Sequence, residues 1–105
     1  MDKLLEILKA VGIPFAYDHF EEGESPEPPF ICYLLPDSDN ISADGKAYYK
    51  INEVHIELYT DTKDLSVERQ LEAVLDEHGI FYDRSEVWIE SEKLYEVLYS
   101  FEMEA

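Results

Sequence analysis

Cys32 is the strongest nucleophile by residue type in this chain, and His19, His55 and His78 are the bases that could activate it. Thiol catalysis needs such a pair held together and oriented by an acid. Cys32 stands inside the apolar run FICYLL, Phe30 to Leu35, where a buried and inert structural thiol is the expected role. No G-x-S-x-G elbow presents a serine after a strand. One cysteine and three histidines without ligand spacing do not build a zinc site. The four glycines are scattered, so no glycine-rich loop is available to cradle a phosphate. No catalytic residue, cofactor site or metal site is expected, and the chain does not read as an enzyme.

The loop DSDNISADG, Asp37 to Gly45, invites a calcium reading. Aligned with an EF-hand loop, Asp37 and Asp39 fill the first and third positions. Ile41 then falls where a ligand belongs, Ser42 where glycine is needed, and Tyr48 where a bidentate glutamate should close the site. A solvated hairpin loop with a turn at Asp44-Gly45 is the better reading, with incidental divalent binding left open. Glu86, Glu90, Glu92, Glu96 and other carboxylates can be paired on paper. Acid–base work needs two groups whose surroundings push their pKa values apart, which a sequence does not display. A solvated acidic face is the expectation, and His55, between Val54 and Ile56, is expected to face solvent.

Composition narrows the class further. The formal charge is −17, from 25 acidic against 8 basic residues, which opposes binding to nucleic acid or an anionic membrane. A hydrophobic content of 46%, with 13% aromatic residues, argues for a folded chain despite that charge. At 105 residues one domain, 1–105, is expected. A single cysteine precludes an internal disulfide and suits a reducing compartment. The segment MDKLLEILKAVG lacks a basic region, a long apolar core and a cleavage site, and no apolar run nears the roughly 20 residues of a membrane helix. The chain reads as soluble and intracellular.

The elements that would position these residues follow from periodicity. A helix is expected over 2–11, capped by Asp2, with Leu4, Leu5, Leu8 and Val11 on one face and Gly12 at its end. Gly12 to Pro29 holds four of the five prolines and reads as an extended connection. Phe30 to Leu35 reads as a strand. Ala47 to Thr60 reads as a second, long strand whose alternation slips once, implying a bulge or bend near Asn52-Glu53. The clearest element is a helix from about Leu65 to His78, burying Val67, Leu71, Val74 and Leu75, capped by Asp64 or Ser66 and ended by Gly79. Residues 80–90 and 93–103 read as two further strands, the last with Tyr95, Val97, Tyr99, Phe101 and Met103 on one face. The order is α-β-β-α-β-β. Its simplest packing is an α+β fold with two helices on one face of a mainly antiparallel four-stranded sheet. Asp61 to Asp64, between strand and helix, then forms a structural corner rather than a catalytic one.

Eight tyrosines and one tryptophan point to association, because such side chains offer apolar area with a polar tip. Core and cross-strand packing is the competing role. The segments PEPPFICYLLPDSDNISADGKAYYK, VHIELYTDTKDLSVERQLEAVLDEHGIFYDR and WIESEKLYEVLYSFEME carry a more specific signal. Their P-P-[aromatic]-I-x-Y, D-N-x-x-A-D-G and E-L-Y-T-D-x-K-D motifs resemble a family of small proteins from the head-tail joining and tail modules of Gram-positive bacteriophages and prophages. More distantly, the chain resembles the tail terminator, or tail completion, proteins of long-tailed phages.

This resemblance implies an α+β subunit that forms a ring, commonly hexameric, on the head-proximal end of the tail tube. Such a ring stops tube growth and docks the filled head. It implies further copies, the tail-tube protein and head-tail connector proteins as partners. The implied location is the host cytoplasm during assembly and then the head-tail junction of the virion. It brings no catalytic residues. Contacts are expected at Asp37, Asp39, Asn40, Asp44, Tyr48 and Tyr49, in and after the matching loop. A rival reading is a DNA mimic whose carboxylates block a host DNA-binding enzyme, which the charge of −17 also suits.

Overall fold

Val54, Ile56, Leu58 and Thr60 alternate with Glu53, His55, Glu57 and Tyr59, and that period of two sorts the molecule into two unlike faces. The computed structural model describes residues 2–38, 41–43, 46–49 and 51–104, with backbone alone for 2, 37–38, 41–43 and 46–49. Its elements are α1 (Asp2–Val11), β1 (Phe15–Tyr17), β2 (Phe30–Ser38), β3 (Ile41–Ala43), β4 (Lys46–Tyr49), β5 (Ile51–Thr60), α2 (Leu65–Glu77), β6 (Asp83–Ile89) and β7 (Leu94–Glu104). Five strands form one sheet in the order β1-β2-β5-β7-β6, and β3 with β4 forms a separate two-stranded sheet.

The expected four-stranded antiparallel sheet is therefore wrong. The main sheet is five-stranded and mixed, because β1 joins β2 in parallel, pairing Phe15 with Ile31 and Tyr17 with Tyr33. Three residues are too few to show an alternation, and they lie in the proline-rich stretch read as a connection. The supposed long strand is two strands, β4 and β5, in different sheets. Its apparent slip of phase is that change of sheet. All ten residues of β5 pair in unbroken register with β7, so no bulge interrupts that ladder at Asn52-Glu53. The irregularity lies across the other ladder, between Leu34 and Asp37 of β2. Pro36 falls there, beyond the last residue that β1 pairs, where a missing backbone donor is tolerated.

Both helices bury one stripe against the same side of the sheet. Leu4, Ile7, Leu8 and Val11 of α1 and Leu71, Val74 and Leu75 of α2 meet Ile31, Val54, Ile56, Leu58, Val97, Tyr99, Phe101 and Met103. Ile7, rather than Leu5, completes the α1 stripe. Full burial of each such aliphatic side chain contributes about 1.5–3 kcal/mol. At α2 the caps form as the sequence indicates. Asp64 accepts from the backbone N–H groups of Ser66 and Val67 at 3.1 and 3.2 Å. At the other end, Gly79 takes φ +68° and its N–H reaches Asp76 O, while Ile80 N–H reaches Leu75 O, a Schellman closure. Gln70 ties the helices together by donating to the Val11 carbonyl.

The corner before α2 is held by charge. Glu68 is 4% exposed, and both of its carboxylate oxygens are occupied, one by Lys63 and the other by Arg84 of β6. Glu86 accepts from the same two cations, and Arg84 also approaches Glu72, which accepts the Tyr99 hydroxyl at 2.7 Å. Truncating Glu68 would take the buried carboxylate away from two cations and leave Glu86 to hold both. Glu68→Ala is expected to cost about 2–3 kcal/mol in urea denaturation, less than the roughly 3–5 of a fully buried pair because Lys63 and Arg84 keep some solvent. Asp64→Ala is expected to cost about 1 kcal/mol through the lost cap. The exposed control Glu77→Ala should stay within about 0.5 kcal/mol.

Candidate interaction surface

Among the described residues no helix lies over the second face of the sheet. Registered across β2, β5, β7 and β6, its rows read Phe30, Tyr59, Glu96, Val87, then Cys32, Glu57, Leu98, Ser85, then Leu34, His55, Ser100, Asp83. Part of it is roofed by the segment after β1. Phe20 stands edge-on to Phe30 at 5.5 Å between centroids, and Phe30 stacks on Tyr59 at 5.1 Å. Phe30 and Cys32 are buried there, outside the main core cluster. Between this aromatic group and the β6–β7 turn opens a cleft of about 370 Å³, lined among others by Asp18, His19, Cys32, Tyr59 and Glu92.

The centre of this face is a carboxylate pair on one phenol. The Tyr59 hydroxyl lies 3.0 Å from Glu57 and 3.2 Å from Glu96. A phenol carries one proton, so it satisfies one carboxylate at a time. Burial is the main cause that raises the Glu57 pKa; the Tyr59 hydrogen bond and His55 oppose it, while Glu96 and Asp18 add to it. Tyr59 is raised as well, by burial and then by Glu57 and Glu96. Negative charge thus collects in a half-buried place.

The same field decides the thiol question. Asp18, His19 and Cys32 share the cleft, and His19 Nδ1 lies 3.0 Å from Asp18. Among the described residues no hydrogen bond joins His19 to Cys32. Burial pushes the thiol up to about 11, with Glu57, Asp18 and Glu96 adding to it, so it remains protonated at neutral pH. His55 pairs with Glu53 at 3.0 Å, and His78 sits against the Val74 carbonyl at 2.9 Å, each on a different element. Among the described residues no group of three or more His, Cys, Asp or Glu is placed to hold a metal, and no helix is long and apolar enough to cross a membrane.

Of the contact residues expected from sequence, Asp37 pairs with Glu53 at the irregular end of β2. Tyr48 and Tyr49 lie in β4, with Tyr49 opposite Ile41. Asp39, Asn40 and Asp44 lie outside the described residues. The tyrosines divide by environment: Tyr99 is fully buried, Tyr17 is half exposed, and Tyr59 anchors the open face. Trp88, 41% exposed, packs on Tyr95 along the outer strand β6. Sequence reasoning missed the Glu57–Tyr59–Glu96 group. Its only local trace is that Glu57 and Tyr59 share the phase opposite to Ile56 and Leu58.

A group with a raised folded-state pKa contributes stability below its unfolded value and loses it as pH rises through the folded value. Glu57 therefore costs stability at neutral pH. Glu57→Gln is expected to raise the urea midpoint near neutral pH, the gain shrinking as pH falls into the ordinary carboxylate range. Glu86 has the opposite sign, since hydrogen bonds from Lys63 and then Arg84 hold its pKa low. Glu86→Gln should lower the midpoint near neutral pH, with the loss fading as pH falls through its folded value. Urea titrations of both variants across that range check the two signs.

No family model matches the chain, and no curated protein matches it. Among solved structures it is similar to a chain of the "Virion of native gene transfer agent (GTA) particle", with a TM-score of 0.65 and 13% identity. The match covers 93% of this chain and 82% of that one. At that identity the likeness is one of fold, and it extends over nearly all of the architecture described above.

Proposed function

We propose that this protein is a non-enzymatic structural subunit of a phage-like virion, and more narrowly a tail terminator or head-tail joining subunit. The observation that carries the reading is the fold shared over 93% of the chain with a component of a gene transfer agent virion. The sequence resemblance to phage tail-module proteins supports the narrower role. The chemistry agrees: the one thiol is buried and protonated, and the open sheet face offers area and charge rather than an activated nucleophile. In this role the subunit forms a ring on the tail tube, contacts the tube protein beneath and receives the connector proteins of the head. The β3–β4 hairpin, which carries Tyr48 and Tyr49 beyond the Ser38–Asn52 pair, is the proposed contact arm, together with the neighbouring Asp37, Asp39, Asn40 and Asp44.

Charge sets a condition on this assembly. Copies each carrying −17 repel one another, so ring closure depends on counterions or on a basic surface that receives them. Added salt is therefore expected to promote self-association in sedimentation velocity; no response at any ionic strength would remove repulsion as the control. The acidic DNA-mimic reading rests on the same −17 and predicts tight, salt-sensitive binding to a host DNA-binding enzyme instead.

The deciding measurement is quantitative mass spectrometry of purified particles and of head-free tails, with this chain counted against the tail-tube protein. A small fixed number per tail, about six for a closed hexameric ring, is expected in both samples. Absence from particles despite expression would overturn the virion role and leave the inhibitor reading to be tested.

A further inference from the structure

Beyond the ring contacts, the open sheet face has a chemistry of its own. Its strand positions carry Glu53, Glu57, Glu96, Glu102, Glu104 and Asp83, and among the described residues no Lys or Arg stands at any of them. The basic residues of the sheet and of the corner before α2, Arg84 and Lys63, are on the helix side, engaged with Glu68 and Glu86. Burial is the main cause that raises Cys32, Glu57 and Tyr59, and carboxylates around them add to it in each case. These carboxylates lie beside aromatic faces. The Phe30–Tyr59 stack opens into the cleft, Asp18 and Glu92 stand on its walls, and Glu57 and Glu96 flank the Tyr59 hydroxyl. An aromatic face together with carboxylates attracts a cation from two directions at once.

We propose that this face is the docking site for a basic, extended segment of a partner protein, with one Arg or Lys side chain entering the cleft between Asp18 and Glu92, beside Phe30 and Tyr59 and near the Glu57 and Glu96 carboxylates that flank the Tyr59 hydroxyl. Apolar side chains lie among the acids, notably Leu34, Leu98 and Val87, so an extended segment whose sheet-facing positions, every second residue, include both basic and apolar side chains fits both. A second copy of this chain does not fit face to face, because the carboxylates of the two sheets would oppose each other. Nucleic acid is excluded for the same reason. A cation held there would relieve the burden that makes Glu57 a destabilising residue in the isolated chain. Carboxylates retained at a cost in stability are what a binding face produces. The inference does not depend on the virion role, since a peptide binds or fails to bind whatever particle the protein enters.

The test uses the full chain and an end-blocked hexa-arginine peptide, with hexa-glutamate as the control, in isothermal titration calorimetry at physiological ionic strength. Saturable binding of one peptide per chain is expected, with none for hexa-glutamate. The double variant Glu57→Gln/Glu96→Gln should lose about tenfold or more in affinity, while Glu6→Gln/Glu77→Gln, the same change of charge on exposed helix positions, stays within about twofold. Tyr59 and Phe30 side-chain NMR resonances should shift on binding. Circular dichroism checks that the neutralised variants remain folded, and Glu57→Gln by itself is expected to stabilise. Equal weakening in both double variants would overturn the proposal in favour of non-specific attraction to net charge. Absence of saturable binding would overturn it too, as would a dimer in sedimentation that Glu57→Gln/Glu96→Gln breaks apart, which would assign the face to self-association.

Discussion

Ten consecutive residues of β5 pair with ten of β7, from Ile51 opposite Glu104 to Thr60 opposite Tyr95, and the other elements are placed relative to that ladder. In an antiparallel pair the side chains of opposed residues leave the sheet on the same side, so one register decides the composition of both faces. Here it sets Val54, Ile56 and Leu58 beside Phe101, Tyr99 and Val97, and gives the helices a continuous apolar floor. The same register sets Tyr59 beside Glu96 and Glu57 beside Leu98 on the reverse. A slip of one residue would bring the carboxylates under the helices. The core and the acidic face are two consequences of a single pairing.

The corner between β5 and α2 shows how a charged sequence closes over such a core. Glu68 stands where a helix first turn would otherwise present a surface charge to solvent, yet it is buried. Lys63 reaches it from the turn and Arg84 from β6, so three separate segments meet at one carboxylate. The arrangement costs desolvation, and what it contributes is geometry: the helix is tied to the outermost long strand as well as to the central one. Among the described residues every buried polar side-chain atom has a partner, which is how a domain so rich in acids avoids uncompensated charge on its helix side.

The reverse face departs from that order. Glu53, Glu57 and Glu96 there are partly buried and meet a histidine and a tyrosine rather than a lysine or arginine. The helix side pairs its buried charge, and the reverse keeps in Glu57 a carboxyl whose pKa is raised mainly by burial. The proposed docking of a partner would account for that difference, because a face held ready for a partner is completed only when the partner arrives. The shape agrees. At 50 × 29 × 22 Å the chain is elongated, and β3 and β4 form a second small sheet apart from the main one.

Local spacing was sufficient wherever the physics is local. The helices at Asp2–Val11 and Leu65–Glu77, the Asp64 cap, the left-handed glycines at 12 and 79, and the buried alternation of Val97, Tyr99, Phe101 and Met103 all follow from residues within a few positions of one another. The burial of Cys32 was legible from its apolar neighbours in the chain. Pairing is not local. That Phe15 to Tyr17 would join β2 in parallel depends on where Gly12 and the proline-rich stretch lead the chain, and three residues carry no period that announces it. That Glu57 and Glu96 would share the Tyr59 hydroxyl depends on a register between strands 37 residues apart. Glu68 reads as a surface charge until Arg84 arrives from another strand. The sequence by itself determined which residues belong to helices and which faces are apolar, because backbone periodicity is written in neighbouring positions. Only the tertiary structure decided which charges meet, because a carboxylate's surroundings are set by segments that fold against it from elsewhere in the chain.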